Sequence, residues 1–201
     1  MKSVFAICCA AALLGAVPCR ADEPAPQVGE IPAPFFAADN KPAAPTLFSR
    51  GTHTFEATGG YIFRDNRHLY YGTIGLSTYP IDHLGVVLQG VGYYGAQTGE
   101  NAQMIGLTAI ARYHFLTVDR LSLFGEVGAG ILEGNRGFPP KGTRLNGTYQ
   151  GGVGLTFQLT DNMHLFGRAS FLHISNAFIE GRDRNPAFNG FGGYVGMMWT
   201  F

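Results

Sequence analysis

In the stretch FLHISNAFIEGRDRNPAFNG, which runs from Phe171 to Gly190, a histidine stands two residues before a serine. The surrounding run alternates in the manner of a β-strand, and residues i and i+2 of a strand point the same way, about 6.5 to 7 Å apart. A histidine ring leaning along the strand therefore brings a nitrogen within hydrogen-bond reach of the serine hydroxyl. That is the geometry of an activated nucleophile. Both share the parity of Leu165, Ala169 and Phe171, while His164, Arg168 and Ser170 share the other. A histidine and a serine on the apolar face of a strand cost roughly a few kcal/mol if unpaired in hydrocarbon, so their presence asks for a reason.

A second set of polar residues, Glu56, Arg112, His114, Glu126 and Arg168, falls on the polar parity of its strands. These five read as a lumen network that satisfies itself inside a closed sheet rather than as catalytic groups.

The elements that carry these residues follow from a period of two. In HTFEATGGYIF, the odd positions are His53, Phe55, Ala57, Gly59, Tyr61 and Phe63, and the even ones include Thr54, Glu56 and Thr58. Similar runs near 68–79, 84–96, 103–116, 121–133, 147–160, 163–177 and 188–201 make eight strands. The connections PIDH, TVDR and TDN are tight and polar, whereas GAQTGENA, EGNRGFPPKGTRLN and AFIEGRDRNPAF are longer and rich in glycine and charge. This asymmetry predicts an all-β, eight-stranded antiparallel up-and-down transmembrane barrel with short periplasmic turns and longer outer loops. A lipocalin-like soluble barrel would reverse the faces. The polar face, with Thr108, Arg112, His114, Ser122, Glu126, Gln150, Thr156 and Gln158, carries too little charge for a soluble exterior but suits a packed lumen. Tyr61, Phe63, Tyr70, Tyr71, Tyr93, Tyr94, Tyr113 and Phe115 gather towards strand ends and read as interfacial girdles. An eight-stranded barrel has room inside for side chains only, so no channel is expected.

Composition agrees. Charged residues are 14%, against roughly 25% in soluble domains, while 29 glycines, 16 phenylalanines and 9 tyrosines fill the chain. With lysine only at 2, 41 and 141, a basic nucleic-acid footprint is excluded. Residues 1–21, with Lys2, an apolar run from Val4 to Val17 and small residues before Ala21, read as a cleaved export signal. Cys8, Cys9 and Cys19 all lie in it, so the mature chain is expected to have no disulfide. Residues 22–50 hold six of the 11 prolines and read as an extended periplasmic arm, with Phe35 and Phe36 able to dock on a partner or plug a pore. Residues 51–201 form the barrel.

The segment His173-Ile-Ser-Asn-Ala177, followed by Asn185-Pro186 and a closing strand that ends at Phe201, resembles the lipid A 3-O-deacylase (PagL) family. The resemblance implies an outer-membrane serine esterase that hydrolyses the ester of a 3-hydroxy fatty acid on lipid A. In it, Ser175 is the nucleophile, His173 the general base, and Asn176 with the N–H groups around Ala177 holds the oxyanion. The family has an acid downstream of the serine, and this sequence departs there. Aligned on Asn185-Pro186 the position falls at Asn189, with Glu180 and Asp183 of the preceding loop as alternatives. An amide can still orient an imidazole, though it stabilises imidazolium less than a carboxylate does. No metal or organic cofactor is implied. The expected partners are lipopolysaccharide as substrate, the surrounding outer-membrane lipid, and the barrel assembly machinery that reads a terminal phenylalanine. The reading from a different class is a non-catalytic small barrel whose His173 and Ser175 hydrogen-bond lipid headgroups.

Overall fold

A computed structural model describes residues 48–201; the export signal and most of the Pro-rich arm, including Phe35 and Phe36, lie outside the described residues. Eight strands follow in chain order: β1 His53–Arg64, β2 Arg67–Ile81, β3 Leu84–Ala96, β4 Ala102–Val118, β5 Leu121–Gly134, β6 Leu145–Gln158, β7 Met163–Ser175 and β8 Phe188–Thr200. Each pairs antiparallel with the next, and β1 pairs with β8, so the sheet closes on itself. Closure leaves no unpaired edge, which is the condition a sheet must meet in hydrocarbon. The only other regular element among the described residues is one 3₁₀ turn, Arg182–Arg184.

The alternation read from the sequence becomes the two faces of the wall. Ile74, Leu76, Leu88, Ile105, Leu107, Val127, Ile131, Val153 and Val195 stand exposed on the exterior as an apolar belt. Inside, the lumen is filled in three layers. Towards the end that carries the long loops, Ile62, Leu69, Val91, Tyr93, Met104, Leu132, Phe138, Leu172, Ile174 and Phe188 pack together. In the middle, the Arg112 guanidinium donates to Glu56 at 2.7 Å and to Glu126 at 2.6 Å, and Arg168 pairs with the other oxygen of Glu126. Glu56 on β1, Arg112 on β4, Glu126 on β5 and Arg168 on β7 are thereby tied across the barrel. At the opposite end Phe48, Tyr79, Phe124, Phe166 and Met198 form an aromatic floor.

Several details depart from the sequence expectation. His114 lies outside the ion cluster: its Nδ1 bonds Ser122 at 2.9 Å, and Phe48 stacks on its ring with centroids 3.6 Å apart. Phe48, from the end of the predicted arm, is fully buried in the floor and takes part in closing the lumen there. Tyr71 and Tyr93 turn inward and pack with the outer layer, so the girdle at that end is built from Tyr61, Phe63, Tyr70 and Tyr94. Position near a strand end did not decide this; parity did. The β1–β2 connection is a two-residue turn, with Asp65 at φ 50°, so three of the four outer connections are long rather than all. Aspartate tolerates that left-handed conformation because its short side chain bonds locally. Strand β7 ends at Ser175 rather than at residue 177, because Ala177 and Phe178 both take positive φ, 50° and 62°.

Candidate functional site

Where β6, β7 and β8 approach the loop-bearing end, register sets three side chains in one row on the outer wall. Tyr149 of β6 lies opposite His173 of β7, which lies opposite Asn189 of β8. One step up, Ser175 is the last residue of β7 and sits opposite Gly147. The odd parity of β7 turns His173 and Ser175 outward, as expected from Leu165 and Phe171, which are both exposed.

The distances make a relay. His173 Nε2 lies 2.9 Å from Ser175 Oγ, and His173 Nδ1 lies 2.5 Å from Asn189 Oδ1. An amide oxygen can only accept, so the ring proton belongs on Nδ1, and Nε2 is left to accept the serine O–H. The Tyr149 ring flanks the imidazole with centroids 6.1 Å apart, tilted by 35°. Ser175 is buried and His173 half-buried, so the hydroxyl is screened while part of the ring stays accessible.

Of the three candidates for the group behind the histidine, the structure brings Asn189 to it. Glu180 pairs instead with Arg184 at 2.7 Å, and Asp183 is exposed in the 3₁₀ turn. Strand pairing explains the choice: Asn189 is held by the β7–β8 ladder, while both acids lie in the loop beyond the last paired residues.

Asn176 is used differently from the expectation that its side chain holds an oxyanion. Its Nδ2 donates to the Arg184 carbonyl at 2.8 Å, its Oδ1 accepts the Phe178 N–H at 3.0 Å, and its own N–H donates to Asn185 Oδ1 at 2.9 Å. Asn176 therefore clasps the β7–β8 loop, and Asn185, which sequence reasoning used only as an alignment mark, is the other half of the clasp. The Ala177 N–H, two residues after Ser175, bonds no other group among the described residues. The positive φ values at 177 and 178 turn the chain sharply after the serine, an arrangement that costs energy and is found where function or tight packing over-determines the backbone. Among the described residues, no cluster of three or more metal-ligating side chains forms.

Together these groups comprise a hydroxyl, an imidazole nitrogen within hydrogen-bond distance of it, an amide that orients the ring and, two residues on, one backbone N–H without a partner among the described residues. No protein-family model and no curated protein matches the chain. Solved structures do. The outer membrane enzyme PagL is 18% identical, with 71% of this chain and 97% of that one covered at a TM-score of 0.57. Neisserial surface protein A (NspA) is 14% identical, covering 75% of this chain and 96% of that one at a TM-score of 0.53. Both match this chain in fold, and the chain is a closed eight-stranded barrel of the outer-membrane kind with an apolar exterior.

Proposed function

We propose that the protein is an outer-membrane serine esterase that removes a 3-O-linked hydroxyacyl chain from lipid A. The observation that carries this reading is the contact series Ser175 Oγ, His173 Nε2, His173 Nδ1, Asn189 Oδ1, placed on the outward face at the loop-bearing end. A lumen network does not account for it, since all three residues lie on the exterior. PagL is described as an outer membrane enzyme, but a barrel hosts many functions, and the activity rests on the side chains.

In the reaction, Ser175 Oγ attacks the ester carbonyl as its proton passes to His173 Nε2. The carbonyl π bond opens onto the oxygen, and the Ala177 N–H faces the negative charge that develops there. Collapse of the tetrahedral species breaks the bond to the sugar oxygen, which takes the proton from His173. An acyl-serine and a free sugar hydroxyl result. Water, deprotonated by the same nitrogen, then attacks the acyl-serine, and the proton returns to Ser175 as the 3-hydroxy fatty acid departs. Asn189 keeps Nδ1–H oriented throughout and stabilises the imidazolium. The reaction needs an ester at the outer leaflet, and long loops on the outer side would put the relay near it. Residues 1–21 would direct export, and residues 22–50 would stay on the periplasmic side.

Mass spectrometry of lipid A incubated with the refolded protein tests the proposal, beside Ser175→Ala and His173→Ala variants checked for heat-modifiable barrel mobility. Loss of one hydroxyacyl chain with the wild type alone is expected. Unchanged lipid A from a folded wild type, offered with several acylation patterns, would return the protein to the non-catalytic barrels.

A further inference from the structure

The β1–β2 turn sets two like charges against each other beside the relay. Arg64 and Arg67 are directly paired across the hairpin, an arrangement that destabilises a sheet. Asp65, between them, compensates weakly, with its carboxylate 3.5 Å from Arg64 and itself well exposed. The other outer arginines whose side chains are described are matched differently: Arg136 faces Glu100, Arg144 faces Glu133 at 3.4 Å and Arg184 faces Glu180 at 2.7 Å. Arg67 has no carboxylate partner among the described residues. This hairpin thus carries two arginines for one exposed carboxylate, and among the described side chains Lys141 of the β5–β6 loop is the other outer cation without a carboxylate partner.

Its place is specific. The Arg64 guanidinium donates to the main-chain carbonyl of Asn189 at 3.3 Å, and the Asn189 side chain is the group that meets His173. The registers put Phe63 level with Phe171, so Arg64 on β1 is two strands across and three residues along from Ser175 on β7, roughly 14 Å between Cα atoms and within reach of the long arginine side chain plus a sugar ring. That separation matches a headgroup lying flat on the rim, its ester at Ser175 and a charged substituent at the hairpin. Guanidinium groups present paired donors that fit phosphate oxygens.

We propose that Arg64 and Arg67 form an anion subsite that binds a phosphate on the sugar headgroup of the substrate and so selects phosphorylated acyl-sugars. The proposal rests on the esterase reading, and its test separates the two. The wild type and the Arg64→Ala/Arg67→Ala double variant, both as refolded full chains in neutral detergent micelles, are given a synthetic 3-O-acyl glucosamine 1-phosphate amphiphile and its unphosphorylated counterpart. The wild type is expected to show a KM lower by about tenfold or more for the phosphorylated compound, the size of one charged hydrogen bond. The double variant is expected to lose that preference, read as the ratio of the two KM values on the same protein, and Arg64→Lys/Arg67→Lys to recover part of it. Equal KM values on the wild type overturn the subsite. Phosphatidylglycerol added to the micelles distinguishes the source of the phosphate: if it abolishes the preference while the double variant ignores it, the hairpin grips membrane phospholipid and the substrate subsite is overturned. Hydrolysis of neither compound refutes the esterase reading instead, and calorimetric titration of the Ser175→Ala protein with the phosphorylated amphiphile then decides the subsite alone: binding weakened by the added arginine substitutions supports it, and binding unaffected by them overturns it.

Discussion

Replacing Asn189 by aspartate changes an amide to a carboxylate of the same shape at a contact of 2.5 Å with His173 Nδ1. The β7–β8 register and the tautomer are kept, because a carboxylate oxygen also accepts from Nδ1–H. What changes is the stabilisation of the imidazolium formed as Ser175 is deprotonated. A neutral hydrogen bond contributes about 1 kcal/mol net and one to a charged group about 1.5–3 kcal/mol, a gain of about 1–2 kcal/mol. The ring is only half-buried, and solvent screening moves the figure to the lower half of that range. Lowering the barrier by about 1 kcal/mol raises kcat roughly fivefold. Asn189→Ala should act in the opposite direction, removing both the orientation of the ring and the stabilising contact, with a loss of roughly 10- to 100-fold. Steady-state kinetics in micelles near pH 8, where the new carboxylate is ionised, measures both variants. An aspartate variant no faster than wild type, together with an alanine variant equal to it, would refute the assignment of Asn189 to the relay.

Further outcomes follow from the same contacts. Glu180→Gln and Asp183→Asn should leave kcat within about twofold, because Glu180 is spent on an exposed pair with Arg184 and Asp183 is exposed; a loss as large as that of Asn189→Ala would move the third role to the loop. Glu126→Gln leaves Arg112 and Arg168 facing each other with half their charge unmatched in the lumen, so urea unfolding from lipid vesicles should show a loss of about 3–5 kcal/mol. Gly192→Ala would drive a methyl into the Tyr61 carbonyl and should cost about 1–3 kcal/mol in that assay, whereas Gly59→Ala meets open space and should stay within about 0.5 kcal/mol of wild type.

Much of the site was legible before folding because strand parity is local. The i, i+2 spacing of His173 and Ser175 needs only an extended backbone to bring Nε2 to Oγ. Eight alternating runs, separated by short and long connections in turn, were sufficient for a closed barrel with an apolar exterior. The same parity, applied consistently, would have turned Tyr71 and Tyr93 into the lumen, but the girdle was read from their nearness to strand ends. His114 shares the parity of Arg112, yet Phe48 holds it at the floor, a contact that no periodicity announces because the segment before β1 has no strand period.

The residue behind the histidine is where sequence and tertiary structure part. Three positions after Ser175 had suitable chemistry, and loop length places no constraint on which of them returns to the ring. The pairing of His173 with Asn189 selects one, since a one-residue slip of β8 would turn Asn189 into the lumen. The Arg64 contact with Asn189 has the same origin, as 125 residues separate the two and only closure of β8 onto β1 makes them neighbours. Alternation along the chain determined which side chains face outward; the registers of the closed sheet decided which of them meet.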